Sequence, residues 1–337
     1  MNSMRSKFNG GATAAVLVLM GWFAGCATLP TQAPSVFLEP VPVRVLDAGA
    51  GEGPAWHPLH GLFFSGGGDI TRLDPRGQVS VYRKDAGSNG LLFDHSQRLL
   101  VCDNVRRRIT RTDLDGSITV LAENYGGHRF NQPNDITIDS AGRIYFSDPK
   151  YGDREGMEIL DAAGKPIEGV YRIDPDGSVA MVIEHQVDRP NGVMVSGDDR
   201  YLFVADNNNN IERGARKLWR FDLLGDGGVD FASKRLIFDW ETSRGPDGMA
   251  QDQLGQIYVA AGRNTPIPPF ETVDPFKGGI YVFDAAGSLK KFIPVPVDEV
   301  TNCAFGGSNL KTLYITAGGT LWSIRTETPG WVPWQRR

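Results

Sequence analysis

Short apolar runs that end in a small or polar residue recur six times along the chain. They are HGLFFSGG (60–67), QRLLVCDN (97–104), GRIYFSDP (142–149), DRYLFVADN (199–207), GQIYVAAG (255–262) and KTLYITAGG (311–319). A second apolar run follows each of them, in most cases interrupted by turn-forming residues such as Asp-Pro-Asp-Gly. The pattern predicts six repeats built from antiparallel strands.

The spacing of the repeats suits one four-stranded blade per repeat. Equivalent residues of successive repeats are 37 to 58 positions apart, namely Ser65, Cys102, Ser147, Ala205, Ala260 and Thr316. Six such units arranged radially make a β-propeller. The sixth unit lacks a fourth strand, whereas VPVRVLDAG (41–49) precedes the first unit without a partner. We therefore predict an all-β, six-bladed propeller whose last blade is closed by the N-terminal strand; a solenoid or a sandwich is the alternative.

The first residues have the pattern of an export signal. Arg5 and Lys7 precede the apolar run ATAAVLVLMGWFA (12–24), which is too short for a stable membrane anchor. FAGC (23–26) resembles the lipobox of bacterial lipoproteins, with Cys26 as the lipidated residue. The predicted organisation is a signal peptide (1–25), a Pro-rich tether (26–40) and the propeller (41–330).

The resemblance implies an exported protein, anchored by lipid on the periplasmic face of the outer membrane. The alternative is an ordinary secretory signal in which Cys26 is incidental. We expect a monomer that contacts the membrane only through this anchor.

Composition excludes several other classes. The net charge is −5 and no long basic run is present, so nucleic acid is not an expected partner. No G-x-S-x-G motif occurs, and the five His residues form no zinc-protease motif. Cys102 and Cys303 lie in apolar runs far apart, which favours two buried thiols over a disulfide.

Oxygen-bearing side chains recur at one register of the repeats. Thirteen or fourteen residues before each marker residue, at the start of the innermost strand of each blade, stand Glu52, Asn89, Asn134, Asn191, Asp247 and Asn302. Innermost strands line the axis of a propeller, so these six positions should converge. Carboxylate and carboxamide oxygens are the ligands of a hard divalent cation, and Ca²⁺ takes six to eight of them.

A simpler interpretation is that these residues form turns. Gly follows Glu52, Asn89, Asn191 and Asp247 directly, as it often does in turns. Turns would accept Ser or Gly at the same positions, however, and the recurrence of one chemical class in six blades favours a metal site. Asp135, beside Asn134, is predicted to be a turn or strand-entrance residue.

Five motifs in order carry a resemblance to a known family. GEGPAW (51–56), RFNQPNDITIDSAGRIYFSDPKYG (129–152), RPNGV (189–193), GPDGM (245–249) and TNCAFGG (301–307) are similar to successive motifs of the gluconolactonase/regucalcin (senescence marker protein-like) family of six-bladed propeller hydrolases. The resemblance implies that Glu52, Asn191 and Asp247 are metal ligands. It implies that Asn134 contacts the metal or the substrate, and that Arg129 contacts the substrate.

These residues lead to the hypothesis of a metal-dependent lactonase, a carboxylic ester hydrolase that opens a small sugar lactone of the gluconolactone type. One divalent cation, Ca²⁺ ahead of Zn²⁺, Mg²⁺ or Mn²⁺, would polarise the carbonyl group. Asp247 would act as general base, or as nucleophile. Asn89 and Asn302 would support the ligands, and the insertions at 150–169 and 262–278 could cover the site.

The alternatives are hydrolysis of aryl esters or phosphotriesters, and a non-catalytic lipoprotein propeller that binds a protein partner and keeps Ca²⁺ for stability. FSGGGDI (64–70) and CDNVRRR (102–108) depart from the family pattern at the substrate mouth, which leaves the substrate open.

Overall fold

The computed structural model describes residues 37–335, which form 26 strands and one 3₁₀ turn (Pro333–Gln335). Blade 1 contains β2 (Glu52–His57), β3 (Gly61–Gly66), β4 (Asp69–Leu73) and β5 (Val79–Arg83). Blade 2 contains β6 (Ser88–Phe93), β7 (Leu99–Asp103), β8 (Arg108–Thr112) and β9 (Ile118–Ala122). Blade 3 contains β12 (Ile136–Ile138), β13 (Ile144–Asp148), β14 (Gly169–Ile173) and β15 (Val179–Ile183).

Blade 4 contains β16 (Pro190–Val195), β17 (Tyr201–Asn207), β18 (Arg216–Leu223) and β19 (Val229–Asp239). Blade 5 contains β20 (Met249–Gln251), β21 (Ile257–Ala261), β22 (Gly279–Phe283) and β23 (Leu289–Pro294). Blade 6 contains β24 (Val300–Gly306), β25 (Thr312–Ala317), β26 (Thr320–Arg325) and β1 (Val43–Leu46). A short hairpin, β10 (Asn124–Tyr125) and β11 (His128–Arg129), joins blades 2 and 3. The predicted six-bladed propeller is confirmed.

The N-terminal strand closes the ring of blades as predicted. β1 pairs antiparallel with β26, with Val43 opposite Ser323 and Arg44 opposite Trp322. The pairing extends further towards the N-terminus, because Phe37 forms a bridge with Thr326 and is only 4% exposed. The propeller therefore begins before residue 41, and this part of the predicted tether packs against blades 5 and 6. Cys26 and the predicted signal peptide lie outside the described residues.

The hydrophobic core lies between adjacent blades. In the inner strands, alternate residues face opposite neighbouring blades, whereas outermost strands such as β5 and β9 are largely exposed. Phe130, Phe146 and Tyr171, for example, pack together between blades 2 and 3. Cys102 and Cys303 are buried free thiols in two of these interfaces, as predicted. Within residues 37–335 no helix is long and apolar enough to cross a membrane.

The C-terminal segment closes one end of the central channel. The Trp331 backbone N–H donates to the backbone Gln251 O (2.8 Å), and Gly330 forms a bridge with Asp252. Trp331 and Trp334 then line a cavity of about 100 Å³ together with apolar residues of the innermost strands. The predicted propeller ended at residue 330, but the tryptophans after it belong to the same packed unit.

Candidate active site

The other end of the channel carries the oxygen-bearing residues. Each stands within or one or two residues before the innermost strand of its blade, which is β2, β6, β12, β16, β20 or β24. We call this set the oxygen ring: Glu52, Asn89, Asn134, Asn191, Asp247 and Asn302. Four of its members are 3–7% exposed, and Glu52 and Asn89 are half-buried.

Glycines bring neighbouring members of the oxygen ring together. The glycine that follows a ring residue lies against the ring residue of the next blade, so that an added Cβ would meet it at 1.9–2.6 Å. The contacts are Gly53 with Asn89 O, Gly90 with Asn134 O, Gly192 with Asp247 O and Gly248 with the Asn302 amide. Only Gly53 among them has a positive φ (54°). Close approach between blades therefore requires these glycines, and the turn interpretation does not account for three of them.

Polar contacts join neighbouring ring residues at the two blade interfaces that have no such glycine. Between blades 3 and 4, Asp135 replaces the glycine, and its carboxylate accepts the Val193 N–H (3.0 Å) two residues beyond Asn191. Between blades 6 and 1, Asn302 Nδ2 donates to Glu52 Oε2 (3.4 Å). The structure thus brings all six predicted residues together. Asp135 joins them: it directly precedes β12, as the strand-entrance alternative predicts, and it is 9% exposed.

Several oxygens of the ring have no hydrogen-bond partner. Among residues 37–335, the buried atoms Asn89 Oδ1, Asn191 Oδ1 and Asp247 Oδ1 are without a donor. A buried polar atom without a partner costs about 1–3 kcal/mol, so three at one level of the channel need an explanation. Such oxygens are the ligands that a hard cation prefers. The residues present therefore fit a divalent cation.

The electrostatics of the ring favour the same ligand. Burial raises the pKa of Glu52 well above its usual range, and the nearby Asp247 and Asp135 raise it further. Burial raises the pKa of Asp247 to about 7, with Arg244 acting in the opposite direction. Burial raises the pKa of Asp135 to about 6 despite hydrogen bonds from the backbone. A cation would offset the repulsion among the carboxylates of Glu52, Asp135 and Asp247.

A cluster of two arginines and two glutamates borders Asp247. Arg244 Nη2 is 3.9 Å from Asp247 Oδ2, and Arg244 Nη1 is 3.1 Å from Glu271 and 3.3 Å from Glu299. Arg263 completes the cluster at 2.7 Å from Glu299. Because the two arginines are balanced by two glutamates, the cluster offers little free positive charge. It holds the insertion at 262–278 beside the ring through Glu271.

Arg129 is not part of the ring. It is exposed on β11, where its Nη2 donates to Arg106 O (3.2 Å) and its N–H donates to Glu158 (2.9 Å). Within the described residues its hydrogen bonds do not reach the oxygen ring. Tyr151, in contrast, is hydrogen-bonded to Asn191, although it lies outside the repeating register from which the ring residues are predicted.

A second acidic group lies at the surface. The side chains of Asp161, Glu184 and His185 lie close enough together to hold an ion, but His185 Nε2 is already 3.0 Å from Asp161 Oδ2. These side chains are not enclosed by the propeller and their atoms are not among the buried unpartnered ones. The oxygen ring is therefore the better candidate for a cation.

The oxygen ring lies within the part of the chain that matches a known protein family. The family model of the SMP-30/Gluconolactonase/LRE-like region matches residues 50–319, which include the whole oxygen ring. The chain belongs to the SMP-30/gluconolactonase/LRE-like family. The resemblance inferred from the five motifs is confirmed.

Relatives in the SMP-30/gluconolactonase/LRE-like family match the chain over most of its length. The gluconolactonase of Zymomonas mobilis is 29% identical over 315 residues, covering 86% of this chain and 82% of the relative. The pentonolactonase XacC of Haloferax volcanii is 30% identical over 285 residues, covering 82% and 84%. The solved structure of a gluconolactonase from Xanthomonas campestris has a TM-score of 0.68 at 30% identity, covering 85% and 89%.

Proposed function

We propose that this lactonase opens the ring of a small sugar lactone with the help of a divalent cation bound at the oxygen ring. Glu52, Asn191 and Asp247 would hold the cation, with Asn134 as a further ligand or as a substrate contact, and Ca²⁺ is the first candidate ion. The observation that carries the proposal is the set of buried oxygens without partners beside three carboxylates whose pKa values are raised. The gluconolactonase and pentonolactonase relatives support the substrate class.

A bound cation would polarise the lactone carbonyl and stabilise the negative charge that develops on its oxygen. Asp247 would take a proton from the attacking water as that water adds to the carbonyl carbon. Asp247 must be ionised to accept this proton, and a bound cation would favour the ionised form. The ring C–O bond would then break, Asp247 would return the proton to the departing ring oxygen, and the product would be a hydroxy acid.

Other residues would orient the substrate. The Asn134 backbone is held on both sides, because its N–H donates to Ser147 O (2.9 Å) and its carbonyl accepts the Gly90 N–H (2.7 Å). Its side chain can therefore bind a sugar hydroxyl from a defined position. Arg129 would contact the substrate from the outer mouth, where its guanidinium is exposed. Asn302 supports Glu52 directly, and Asn89 contributes an oxygen at the next blade.

The decisive test is lactone hydrolysis by the purified full chain after chelation and readdition of Ca²⁺, Zn²⁺, Mg²⁺ or Mn²⁺. Substrates should include glucono-1,5-lactone, pentonolactones, an aryl ester and a phosphotriester. We expect lactone turnover to depend on one cation and to fall roughly 10³-fold in Asp247→Asn, because the general base is lost. Asp161→Asn, which alters the surface acidic group, is the matched control and should retain full activity.

Full activity in chelator, or in Asp247→Asn, would contradict the proposal. Turnover confined to the aryl ester or the phosphotriester would favour the alternative hydrolase. No turnover, with cation still raising the melting temperature, would favour a binding propeller with a structural ion.

We also infer that the protein is an exported monomer anchored through a lipidated Cys26, which would place the lactonase at the periplasmic face of the outer membrane. Two acyl signals are needed for stable anchoring, and lipoprotein processing supplies them. Cys26→Ser should move the protein from the membrane fraction to the soluble fraction, which detergent partitioning measures. Unchanged partitioning would contradict the anchor, and a light-scattering mass above one chain would contradict the monomer.

A further inference from the structure

Tyr151 lies beside the oxygen ring at the start of the insertion between β13 and β14. Its backbone N–H donates to Gln132 Oε1 (3.1 Å), and the guanidinium of Arg189 lies over its ring at 5.3 Å. These contacts hold the aromatic ring in place independently of the hydroxyl group. The hydroxyl group is therefore not needed to hold the aromatic ring in place.

The Tyr151 hydroxyl makes two hydrogen bonds of opposite sense. It donates to Asn207 O (3.3 Å) and accepts from Asn191 Nδ2 (3.0 Å). A phenol has a single hydrogen, so once that hydrogen points to Asn207 the oxygen can only accept a bond from Asn191. The Asn191 amide must then turn its nitrogen to Tyr151, which leaves Oδ1 as the atom without a partner.

This choice matters because the two ends of a carboxamide have nearly the same size and shape. Packing around a buried Asn side chain discriminates poorly between its oxygen and its nitrogen. A cation, in contrast, binds the oxygen and is repelled by the N–H groups. Hydrogen-bonding neighbours have to select the orientation: Asp247, which accepts a hydrogen bond from the Asn191 side chain, acts from within the ring, and Tyr151 acts from outside it.

We propose that Tyr151 is a positioning residue that selects the amide orientation of Asn191, so that the oxygen and not the nitrogen faces the cation. The proposal rests on the proposed function, because it presupposes the metal site. It assigns to the insertion at 150–169 a role in preparing the ring before any ligand binds.

The same hydroxyl connects Asn191 to the loop that carries Asp247. Asn207, whose carbonyl accepts the Tyr151 hydrogen, donates through Nδ2 to Pro246 O (2.8 Å). Asn209 Oδ1 accepts the Gly245 N–H (2.9 Å) in the same loop. Tyr151 thereby links, through one residue, two of the predicted ligands from adjacent blades.

The test is the Ca²⁺ affinity of the full chain carrying Tyr151→Phe, measured by titration calorimetry. We expect binding to weaken roughly 10- to 100-fold, the usual effect of losing a group that orients a ligand. The melting temperature of the chelated protein should change little. Tyr145→Phe is the matched control, because it also removes a buried hydroxyl, which lies 3.1 Å from the acceptor Gly227 O and 3.2 Å from the acceptor Asp139 Oδ2. The control should bind Ca²⁺ like the wild type.

A second pair of variants separates orientation from general support. In Asn191→Asp the two side-chain oxygens are equivalent, so no orientation has to be selected. Adding Tyr151→Phe to that variant should weaken Ca²⁺ binding by no more than about threefold, a clear interaction in the double-mutant cycle.

Three outcomes can be told apart. Equal affinity in wild type and Tyr151→Phe would overturn the role of Tyr151 while leaving the metal site intact. A loss of the same size when Tyr151→Phe is added to Asn191→Asp would also overturn it, since the hydroxyl would then give only structural support. Absence of Ca²⁺ binding by the wild type would overturn the proposed site itself, and with it this inference for Ca²⁺.

Discussion

The two ends of the central channel are built from the same six innermost strands. They differ in whether their side chains find suitable partners, either hydrogen bonds or apolar contacts. At the ring end, buried oxygens lack partners and three carboxylates repel one another. At the opposite end, apolar residues such as Phe93 and Phe305 line one cavity with the C-terminal tryptophans, and Trp334 packs against the cluster that contains Phe93. β16 shows the change within one strand, from Asn191 to Val193 and Val195. One end of the axis is thus closed by apolar packing, whereas the other end keeps buried polar atoms without partners.

Removing a carboxylate from the ring end should have the largest effect. We expect Glu52→Gln at pH 8 to weaken Ca²⁺ binding about 100-fold or more, because an ionised ligand is lost. The metal-free protein should in turn melt at a higher temperature, because the burial and like charges that raise the pKa of Glu52 disfavour its ionised form in the fold. Calorimetry and thermal unfolding in chelator measure the two effects. A lower melting temperature would show that Glu52 supports the apo fold.

Widening the contact between two ring residues should cost somewhat less. A Cβ at residue 248 would lie 1.9 Å from Asn302 Cγ, so Gly248→Ala must displace the amide that donates to Glu52. We expect a loss of about 1–3 kcal/mol in the free energy of unfolding and weaker Ca²⁺ binding. Gly225→Ala, where a Cβ meets nothing within 4 Å, is the control for denaturant titrations. Equal stability of the two variants would argue against the close contact.

A change at the apolar end should separate stability from binding. Trp334 packs against the cluster that contains Phe63, Leu91 and Phe93. We expect Trp334→Ala to lower the free energy of unfolding by about 2 kcal/mol, less than for a fully buried Trp, since this residue is half-buried. Its Ca²⁺ affinity should remain within twofold of the wild type. A parallel fall in affinity would show that the two ends are coupled.

The pH dependence should be the mildest effect. Folded Asp135 and Asp247, with pKa values of about 6 and 7, keep protons that the unfolded chain has already released. The stability of the metal-free protein should therefore fall as pH rises from about 4 to 7. Ca²⁺ must displace these protons, so its affinity should rise between pH 5 and 8, by up to about tenfold per unit for each proton displaced. An affinity independent of pH would mean that the carboxylates are already ionised.

Local patterns were enough to predict the propeller and the membership of the oxygen ring. Alternating apolar positions give the strands, and their repetition gives the blades. The sixth repeat lacks a fourth strand, and a blade with a missing strand exposes an edge. The unpaired strand at 41–49 could therefore be assigned to blade 6. The six oxygen-bearing residues could be found because each occupies the same register of its repeat.

Residues that reach the ring from elsewhere could not be found in this way. Tyr151 and Arg244 lie outside the repeating register, and only the packing of insertions against the ring brings them close. Asp135 did leave a signal, because it stands where four other repeats have glycine. Phe37 and Trp331 lie in Pro-containing segments without the alternating apolar pattern of a strand. For that reason the predicted propeller (41–330) does not include them.

The sequence by itself determined the number of blades, the closure by the N-terminal strand and the chemical class of the ring, because hydrophobic period and side-chain type are properties of short stretches. The tertiary structure alone decided which oxygens stay unpartnered, how the carboxylates shift one another's pKa values, and which end of the channel is closed. These properties depend on distances between residues up to 250 positions apart, such as Asn302 and Glu52, and only the closed ring of blades sets those distances.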